Sequence, residues 1–255
     1  MKKILMAIPK SYQIIGDIIL IKNSDKEMAE KIMEKFPRIK TVAEMQRIEG
    51  ELRKPKIHVI KSRVKKEKTI TIHREHGILY KLDVKKVMFS KGNLNERKRL
   101  IEKIGKNEIV IDMFAGIGYF SLGIAKRCKK LYAIEKNMDA FNFLKENIEL
   151  NKIKNIIPIN DDNRKVKLEK ADRVLMGYLP GTEKFLDAAF GFLKNKGIIH
   201  FHNTYNEKEL WKKPEEEIKK AGERNGFKIK ILEKRQVKSF APRIYHIVMD
   251  IEAEK

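Results

Sequence analysis

The most informative segment of the chain is Ile109-Val-Ile-Asp112-Met-Phe-Ala-Gly116-Ile-Gly118-Tyr-Phe-Ser121. Its apolar start predicts a buried strand, and its small residues predict a turn that opens a helix. The two glycines remove Cβ atoms that would keep a ligand away from the backbone. Glu135 stands 19 residues after Gly116, where its carboxylate can accept both hydroxyls of a ribose. We therefore expect a nucleotide-binding α/β domain; an α/β turn without a ligand is the alternative.

From residue 93 onward, predicted strands alternate with predicted helices, which is typical of a parallel sheet with right-handed crossovers. A closing antiparallel pair of strands, expected near 227–235 and 243–251, distinguishes a methyltransferase-type sheet from a plain dinucleotide fold. We expect an α/β fold with a class I methyltransferase (Rossmann-like), mostly parallel sheet. The other predicted elements are helices 93–104, 119–127, 138–147, 183–193 and 214–225, and strands 108–113, 131–134, 156–160, 173–176 and 197–202.

A smaller N-terminal α+β region precedes this domain. Residues 12–21 predict a strand and 25–36 an amphipathic helix. The alternating run 69–73, a His-Gly turn and the run 78–82 predict a hairpin. We accordingly divide the chain into an α+β module at 1–52, a basic β-rich region at 53–92 and a catalytic domain at 93–255.

Length and composition exclude several classes of protein. A chain of 255 residues with 42% hydrophobic content can bury a large core. The N-terminal apolar run, residues 4–8, is too short for a secretory signal or a membrane span. The single cysteine, Cys128, leaves no intramolecular disulfide and no CxxC site. We expect a cytoplasmic protein without a membrane partner.

The net charge of +22 is unevenly distributed along the sequence. Residues 51–100 contain 16 basic and 5 acidic side chains, a net charge of +11. A surplus confined in this way is typical of a nucleic-acid binder. A lysine-rich thermophile surface is the alternative, although it explains charges of both signs better than a net imbalance. The side chains expected to contact RNA phosphates are Lys61, Arg63, Lys65, Lys66 and Arg74.

The residue types in the glycine-rich segment indicate which nucleotide binds there. The third glycine of the dinucleotide fingerprint is replaced by Ser121, and the strand ends in Asp112. An acid suits a sulfonium cation with its amino group better than a pyrophosphate, so S-adenosylmethionine is the expected cofactor. In the loop 160–164, Asp162 and Asn163 are expected to contact the adenine, although that loop can also be an ordinary Asx-rich turn.

Four ordered motifs resemble the archaeal wybutosine-synthesis transferase family, TYW2, which is related to the guanosine-37 tRNA N1-methyltransferases, Trm5. The resemblance runs from about Phe89 to the C-terminus and is weaker before it. The motifs are Phe89-Ser-Lys-Gly92-Asn93-Leu-Asn-Glu96-Arg97, Asp112-Met-Phe-Ala-Gly-Ile-Gly118, Met176-Gly-Tyr-Leu-Pro180 and Ile199-His-Phe-His-Asn203-Thr204.

This resemblance implies an S-adenosylmethionine-dependent enzyme that transfers the 3-amino-3-carboxypropyl group to the tricyclic base at position 37 of tRNA-Phe, in the anticodon loop. It also implies contacts of Ser90 and Arg97 with the cofactor, at its methionine end. The full set of implied cofactor residues is Ser90, Arg97, Asp112, Phe114, Gly116, Gly118, Glu135, Asp162 and Asn163. A competing interpretation makes Asn93 and Glu96 a helix capping box, which needs no ligand.

The segment 176–180 bears on which group is transferred. The related methyltransferases usually place Asn or Asp before the proline, whereas Gly177 and Tyr178 stand here. An aromatic side chain can stack on a tricyclic base, so we favour carboxypropyl transfer, with Arg97, Tyr178 and Pro180 as the catalytic residues. Tyr178 as a packing residue remains open, as do a guanosine-37 N1-methyltransferase and a non-catalytic tRNA-binding protein.

His200 and His202 alternate on a predicted strand and so face the same side of it. The sequence offers no third ligand at suitable spacing, so we expect no metal. Phe141, Phe143 and Phe185 are expected in the core.

Overall fold

The computed structural model describes residues 11–90 and 93–255. The predictions that fall on residues 1–10 and on Lys91 and Gly92 lie outside the described residues. The chain forms two compact units, Met1–Lys91 and Gly92–Lys255. We describe each unit by itself.

The N-terminal unit contains a four-stranded sheet made of β1 (Tyr12–Ile15), β2 (Ile18–Ile21), β3 (Thr41–Glu49) and β4 (Lys54–Ser62), in that order. Helix α1 (Lys26–Lys35) connects β2 to β3, which are parallel; the other pairs are antiparallel. The Asp25 carboxylate caps α1 by accepting a bond from the Met28 N–H at 2.8 Å, which stabilises the start of the helix.

Two features of this sheet differ from the sequence prediction. The single strand expected over residues 12–21 is a hairpin instead, because the chain reverses at Gly16, whose φ of 55° lies in the left-handed region. Strands β3 and β4 had no predicted counterparts. The boundary expected between residues 52 and 53 lies in the β3–β4 loop, so the paired strands of one sheet stand on both sides of it.

A second hairpin follows in the same unit, made of β5 (Ile70–Glu75) and β6 (Ile78–Asp83). The turn residues His76 and Gly77 both have positive φ, 47° and 74°, as a two-residue hairpin turn requires. The predicted hairpin is therefore confirmed.

The C-terminal unit contains seven strands in the order β12-β13-β11-β10-β7-β8-β9. All neighbours are parallel except for β13, which is antiparallel to both β11 and β12. The predicted closing antiparallel pair is thus present, and the fold class is confirmed. The strands are β7 (Ile109–Asp112), β8 (Lys130–Ile134), β9 (Ile156–Ile159), β10 (Ala171–Met176), β11 (Leu193–Asn206), β12 (Lys228–Ala241) and β13 (Ile244–Glu254).

Helices connect these strands at the predicted positions. They are α2 (Leu94–Lys103), α3 (Ser121–Ile124), α4 (Met138–Leu150), α5 (Leu186–Phe192) and α6 (Lys212–Arg224), with short 3-10 helices at Thr182–Phe185 and Glu207–Glu209. Helix α3 is shorter than the predicted 119–127, because the chain tightens into i to i−3 hydrogen bonds at Lys126 and Arg127.

The sheet buries a core whose largest fully enclosed side chains include Phe190 and Phe201. Of the three phenylalanines expected in the core, Phe143 is buried, whereas Phe141 and Phe185 are only partly buried. Within residues 11–90 and 93–255, no helix combines the length and the apolar character that a membrane span needs.

Candidate cofactor and acceptor site

The candidate site lies at the carboxyl ends of four adjacent parallel strands, in the order β10-β7-β8-β9. Asp112 ends β7, and Glu135 directly follows β8. The loop with Asp162 and Asn163 follows β9, and Tyr178 follows β10. Ligands of open α/β sheets bind in the crevice at this edge. The topology therefore brings together residues that are far apart in the sequence.

Glu135 is held between the glycine-rich turn and the start of α4. Its Oε2 accepts a hydrogen bond from the Gly116 N–H and its Oε1 one from the Asn137 N–H, both at 2.7 Å. Burial raises the pKa of Glu135 to about 6, against the effect of these two donors. The two bonds fix the carboxylate beside the turn, where Gly116 and Gly118 have φ of 58° and 96°.

Asp112 is fully buried beneath this turn. Its Oδ2 accepts a hydrogen bond from the Ser121 hydroxyl at 2.6 Å, and its Oδ1 one from the Phe114 N–H at 3.3 Å. Burial raises its pKa to about 6, although both donors favour the charged form. Ser121, at the position of the missing third glycine, thus orients the acid.

Asn163 lies inside the site and is almost fully buried. Its Nδ2 donates to the Met113 carbonyl at 3.0 Å, while its Oδ1 is buried without a partner in the described part of the chain. A buried, unpartnered acceptor is costly unless a ligand supplies a donor. The arrangement fits an amino group, such as that of adenine.

Asp162 is engaged by the chain itself. Arg164 donates to both of its carboxylate oxygens, at 2.9 and 2.6 Å, and the Lys136 ammonium lies 3.3 Å from Oδ2. These donors hold the pKa of Asp162 well below its usual range. A ligand that contacts Asp162 therefore has to share this carboxylate with Arg164.

Three aromatic rings cluster beside the glycine-rich turn. Phe114 stacks on Tyr178, with ring centroids 5.0 Å apart and an interplanar angle of 22°. Phe185 meets Phe114 edge-on at 4.9 Å, and the Arg164 guanidinium lies 4.9 Å from the Phe185 centroid. Phe185 packs against the core, as expected, and it also belongs to this aromatic cluster, which the sequence interpretation did not predict. Its position in the sequence, shortly after Pro180, could have indicated that it lies near the site.

Hydrogen bonds hold the loop that carries Tyr178 in place. The Gly181 N–H donates to Asn203 Oδ1 at 3.1 Å, and the Thr182 hydroxyl donates to the Tyr178 carbonyl. Asn203, which is buried, also donates to Glu183 at 2.8 Å. The side chain of one strand residue thus fixes the geometry of the loop.

Helix α2 holds Arg97, which is 3% exposed, while Pro180 is exposed in the loop after β10. Ser90 is half-buried and belongs to the N-terminal unit. The capping-box interpretation is wrong, because Asn93 makes no side-chain cap. The Glu96 carboxylate instead accepts from the Arg99 guanidinium, with the Arg99 Nε 2.9 Å from Oε2.

Arg99 extends this contact into a buried ionic network. It donates to both carboxylate oxygens of Asp250, at 2.6 and 3.1 Å, and Asp250 also lies 2.5 Å from His200 Nδ1. Burial alone would raise the pKa of Asp250, but bonds to His200 and Arg99 hold it well below its usual range. The network joins α2 to strands β11 and β13.

The two histidines of β11, His200 and His202, both contact other buried side chains. Besides Asp250, His200 contacts the Arg173 guanidinium at 2.7 Å, and His202 Nδ1 lies 3.1 Å from His246 Nε2. Burial lowers the pKa of His200 and of His202, which favours their neutral forms. No group of His, Cys, Asp and Glu suited to a metal occurs in the described part of the chain.

The five side chains expected to contact RNA differ in their surroundings. Arg63 donates to the carbonyls of Met33 and Ile39, at 2.6 and 3.0 Å, and Lys61 pairs with Glu30. These two therefore have structural partners within the unit. Lys65, Lys66 and Arg74 are exposed, as is Arg63.

Strand order, the antiparallel β13 and the acid-lined glycine-rich turn together define a class I methyltransferase-type domain. The sequence matches the family described as TRM5/TYW2 methyltransferase domain over residues 71–232, and the TYW2 N-terminal domain over residues 1–61. The chain belongs to the TRM5/TYW2 family, as the sequence motifs predicted.

Three similar proteins illustrate the match. A Methanocaldococcus jannaschii protein described as tRNA(Phe) (4-demethylwyosine(37)-C(7)) aminocarboxypropyltransferase is 46% identical, over 96% of this chain and 98% of its own. The structure of M. jannaschii TYW2 in complex with AdoMet has a TM-score of 0.79 at 41% identity, covering 96% of this chain and 100% of that one. The structure of Trm5b from Pyrococcus abyssi has a TM-score of 0.88 at 35% identity, covering 97% of this chain and 76% of that one.

Proposed function

We propose that this protein transfers the 3-amino-3-carboxypropyl group of S-adenosylmethionine to the tricyclic base 4-demethylwyosine at position 37 of tRNA-Phe, releasing 5'-methylthioadenosine. The observation that carries the proposal is the likeness to the M. jannaschii aminocarboxypropyltransferase, which extends over nearly the full length of both chains. The crevice at the carboxyl edge of the sheet supports it with residues suited to an adenosyl sulfonium compound.

Different residues of the site would contact different parts of the cofactor. Glu135 is placed to accept the ribose hydroxyls, and Asn163 Oδ1 to accept the adenine amino group. Asp112 supplies negative charge beneath the turn. When bound, S-adenosylmethionine supplies a carbon already activated by a positively charged leaving group, so the protein mainly provides position and a dry pocket.

Selection among the three sulfonium carbons depends on the methionine end. Arg97, through paired N–H donors, would hold the cofactor carboxylate. Anchoring the carboxylate in this way would favour presentation of the carboxypropyl carbon, rather than the methyl group, to the acceptor. Arg97 is thereby a positioning group for the transfer.

The acceptor side is supplied by the aromatic cluster. Tyr178 is half-buried and lies against Phe114 at the end of β10. Such a ring can stack on a tricyclic base that has been turned out of the anticodon loop. A carbon nucleophile has no amide hydrogen for an Asn or Asp to hold, which is consistent with Gly177 and Tyr178 before Pro180.

The rival function is guanosine-37 N1-methylation, favoured by the high TM-score to Trm5b. One assay separates the two reactions: tRNA-Phe with the tricyclic precursor is incubated with cofactor labelled either in the methyl group or in the carboxyl carbon. We expect carboxyl label in the RNA and release of 5'-methylthioadenosine. Methyl label in the RNA with release of S-adenosylhomocysteine would refute the proposal. A non-catalytic tRNA-binding protein would incorporate neither label.

We also propose that the enzyme is cytoplasmic and that exposed cations of the N-terminal unit contact tRNA phosphates. Lys65, Lys66 and Arg74 of the expected set are exposed. Their charge reversal should weaken tRNA binding and flatten its salt dependence, with the cofactor affinity unchanged. The hydrogen bonds of Arg63 to the carbonyls of Met33 and Ile39 make it a poor test residue, because their loss would disturb the fold.

A further inference from the structure

A cleft of about 800 Å³ lies within the N-terminal unit, beside the outer face of the β5–β6 hairpin. Its volume is in the range of ligand-binding clefts. The side chains that matter for its chemistry are Arg38, Lys68, Ile70, Ile72, Arg74 and Lys81.

Two apolar side chains of this cleft are unusually exposed. Ile70 and Ile72 are 46% and 50% exposed and alternate along β5 with Thr71, which is buried. The solvated face of a strand is ordinarily polar, so two exposed β-branched residues side by side indicate a surface that another molecule covers.

The charge at the cleft is positive. Asp17, the single acid among the described residues that line it, accepts a hydrogen bond from Thr71 at 2.7 Å and pairs with Lys68 and with Lys40. Burial alone would raise the pKa of Asp17, but these partners lower it. With Asp17 neutralised by its lysine partners, Arg38 and Arg74 give the cleft a net positive potential.

The cleft is fixed before any ligand binds. The Asp17 N–H donates to Thr71 Oγ1 at 3.1 Å, and the Gly16 N–H to His73 Nδ1 at 3.3 Å. A Cβ at Gly16 would collide with the Thr71 hydroxyl, so only glycine permits this approach of the β1–β2 turn to β5. Little ordering cost therefore remains for binding.

We propose that this cleft binds a segment of the tRNA, with its sugars and bases against Ile70 and Ile72 and its phosphates beside Arg38 and Arg74. The inference rests on the proposed function in taking tRNA as the acceptor. A simple inorganic anion would gain nothing from the isoleucines, whereas an RNA segment offers both phosphates and apolar ring faces.

The test is tRNA-Phe binding by fluorescence anisotropy at several salt concentrations. The double variant Arg38→Ala/Arg74→Ala removes two phosphate contacts, so the slope of log K against log salt should fall by about 2. The double variant Ile70→Ser/Ile72→Ser should weaken binding about five- to tenfold with an unchanged slope. Lys22→Ala/Lys56→Ala, which removes two exposed cations outside the cleft, is the matched control and should change the slope by less than half as much.

Three outcomes would refute the proposal that the cleft binds tRNA. The isoleucine pair could leave tRNA affinity unchanged, or the control pair could weaken binding as much as the arginine pair. The isoleucine pair could instead abolish binding to phosphatidylserine vesicles while sparing tRNA, which would assign the cleft to a membrane surface. All variants replace exposed side chains, and circular dichroism checks their folding.

The proposal for the cleft and the proposed transfer reaction can be refuted independently of each other. At saturating tRNA, the control variant Lys22→Ala/Lys56→Ala should release 5'-methylthioadenosine at the wild-type kcat. If the wild-type protein released none, the proposed function would fail, while the binding measurements would still decide the role of the cleft.

Discussion

Two groups of buried carboxylates in the C-terminal unit have opposite electrostatic surroundings. Asp250 lies within a network of cations, and its pKa is held below its usual range. Asp112 and Glu135 accept only neutral donors in the described part of the chain, and burial raises the pKa of each to about 6. The first arrangement stabilises the fold, whereas the second leaves negative charge uncompensated until a cationic ligand arrives.

The largest expected effect is the loss of unfolding free energy when Asp250, the carboxylate paired with cations, is replaced. Asp250→Ala removes the buried carboxylate that Arg99 and Lys103 share, and breaking a buried ion pair of this kind typically costs about 3–5 kcal/mol. The free energy of unfolding from urea titration at pH 7 checks this. A loss below about 1 kcal/mol would mean that the network does not hold α2 to the sheet.

Asp112→Asn tests a carboxylate without a cationic partner. Unlike Asp250→Ala, it should weaken cofactor binding and leave the stability of the fold intact. Removing a charged partner of the cofactor should weaken S-adenosylmethionine binding by about 10- to 100-fold. The unfolding free energy of the ligand-free protein at pH 7 should not fall, because ionised Asp112 is itself costly there. Calorimetry and urea titration measure both; wild-type cofactor affinity would contradict the assignment.

The sequence predicted the unpaired carboxylates but not the paired network, for a physical reason. Asp112 and Glu135 end successive strands, so local strand and turn patterns suffice to place them at one edge of a sheet. Arg99 and Asp250 are 151 positions apart, and only the antiparallel return of β13 brings them together. The contact of Phe185 with Phe114 was not predicted for a similar reason, because Phe114 follows a different strand. Local patterns specify the crevice, whereas packing across the sheet specifies its supports.

The loop clamp offers a smaller effect. Asn203→Ala should lower kcat about tenfold with an unchanged KM for S-adenosylmethionine, because it loosens the loop that presents Tyr178. Asn206→Ala is the matched control, since Asn206 lies on the same strand and accepts a bond from the Lys208 N–H at 3.1 Å instead. In a double-mutant cycle, Asn203→Ala should cost little once Tyr178 is Ala. Additive losses would show that Asn203 does not act through Tyr178.

The smallest effect is a dependence on pH that separates the two unpaired carboxylates. With a folded pKa of about 6 above its ordinary 3.8, Asp112 keeps its proton between pH 4 and 6. Its ionisation therefore destabilises the ligand-free fold as pH rises through that interval.

Cofactor binding should change in the other direction. If Asp112 and Glu135 bind S-adenosylmethionine as proposed, both must be ionised, whereas 5'-methylthioadenosine has the ribose without the cationic end. The affinity ratio of the two ligands should therefore fall about fourfold between pH 7.5 and 5.5, the change in the ionised fraction of one group with a pKa of about 6. Calorimetry at both pH values measures the ratio. A constant ratio would show that Asp112 does not recognise the cationic end, and that the raised pKa reflects burial without a role in binding.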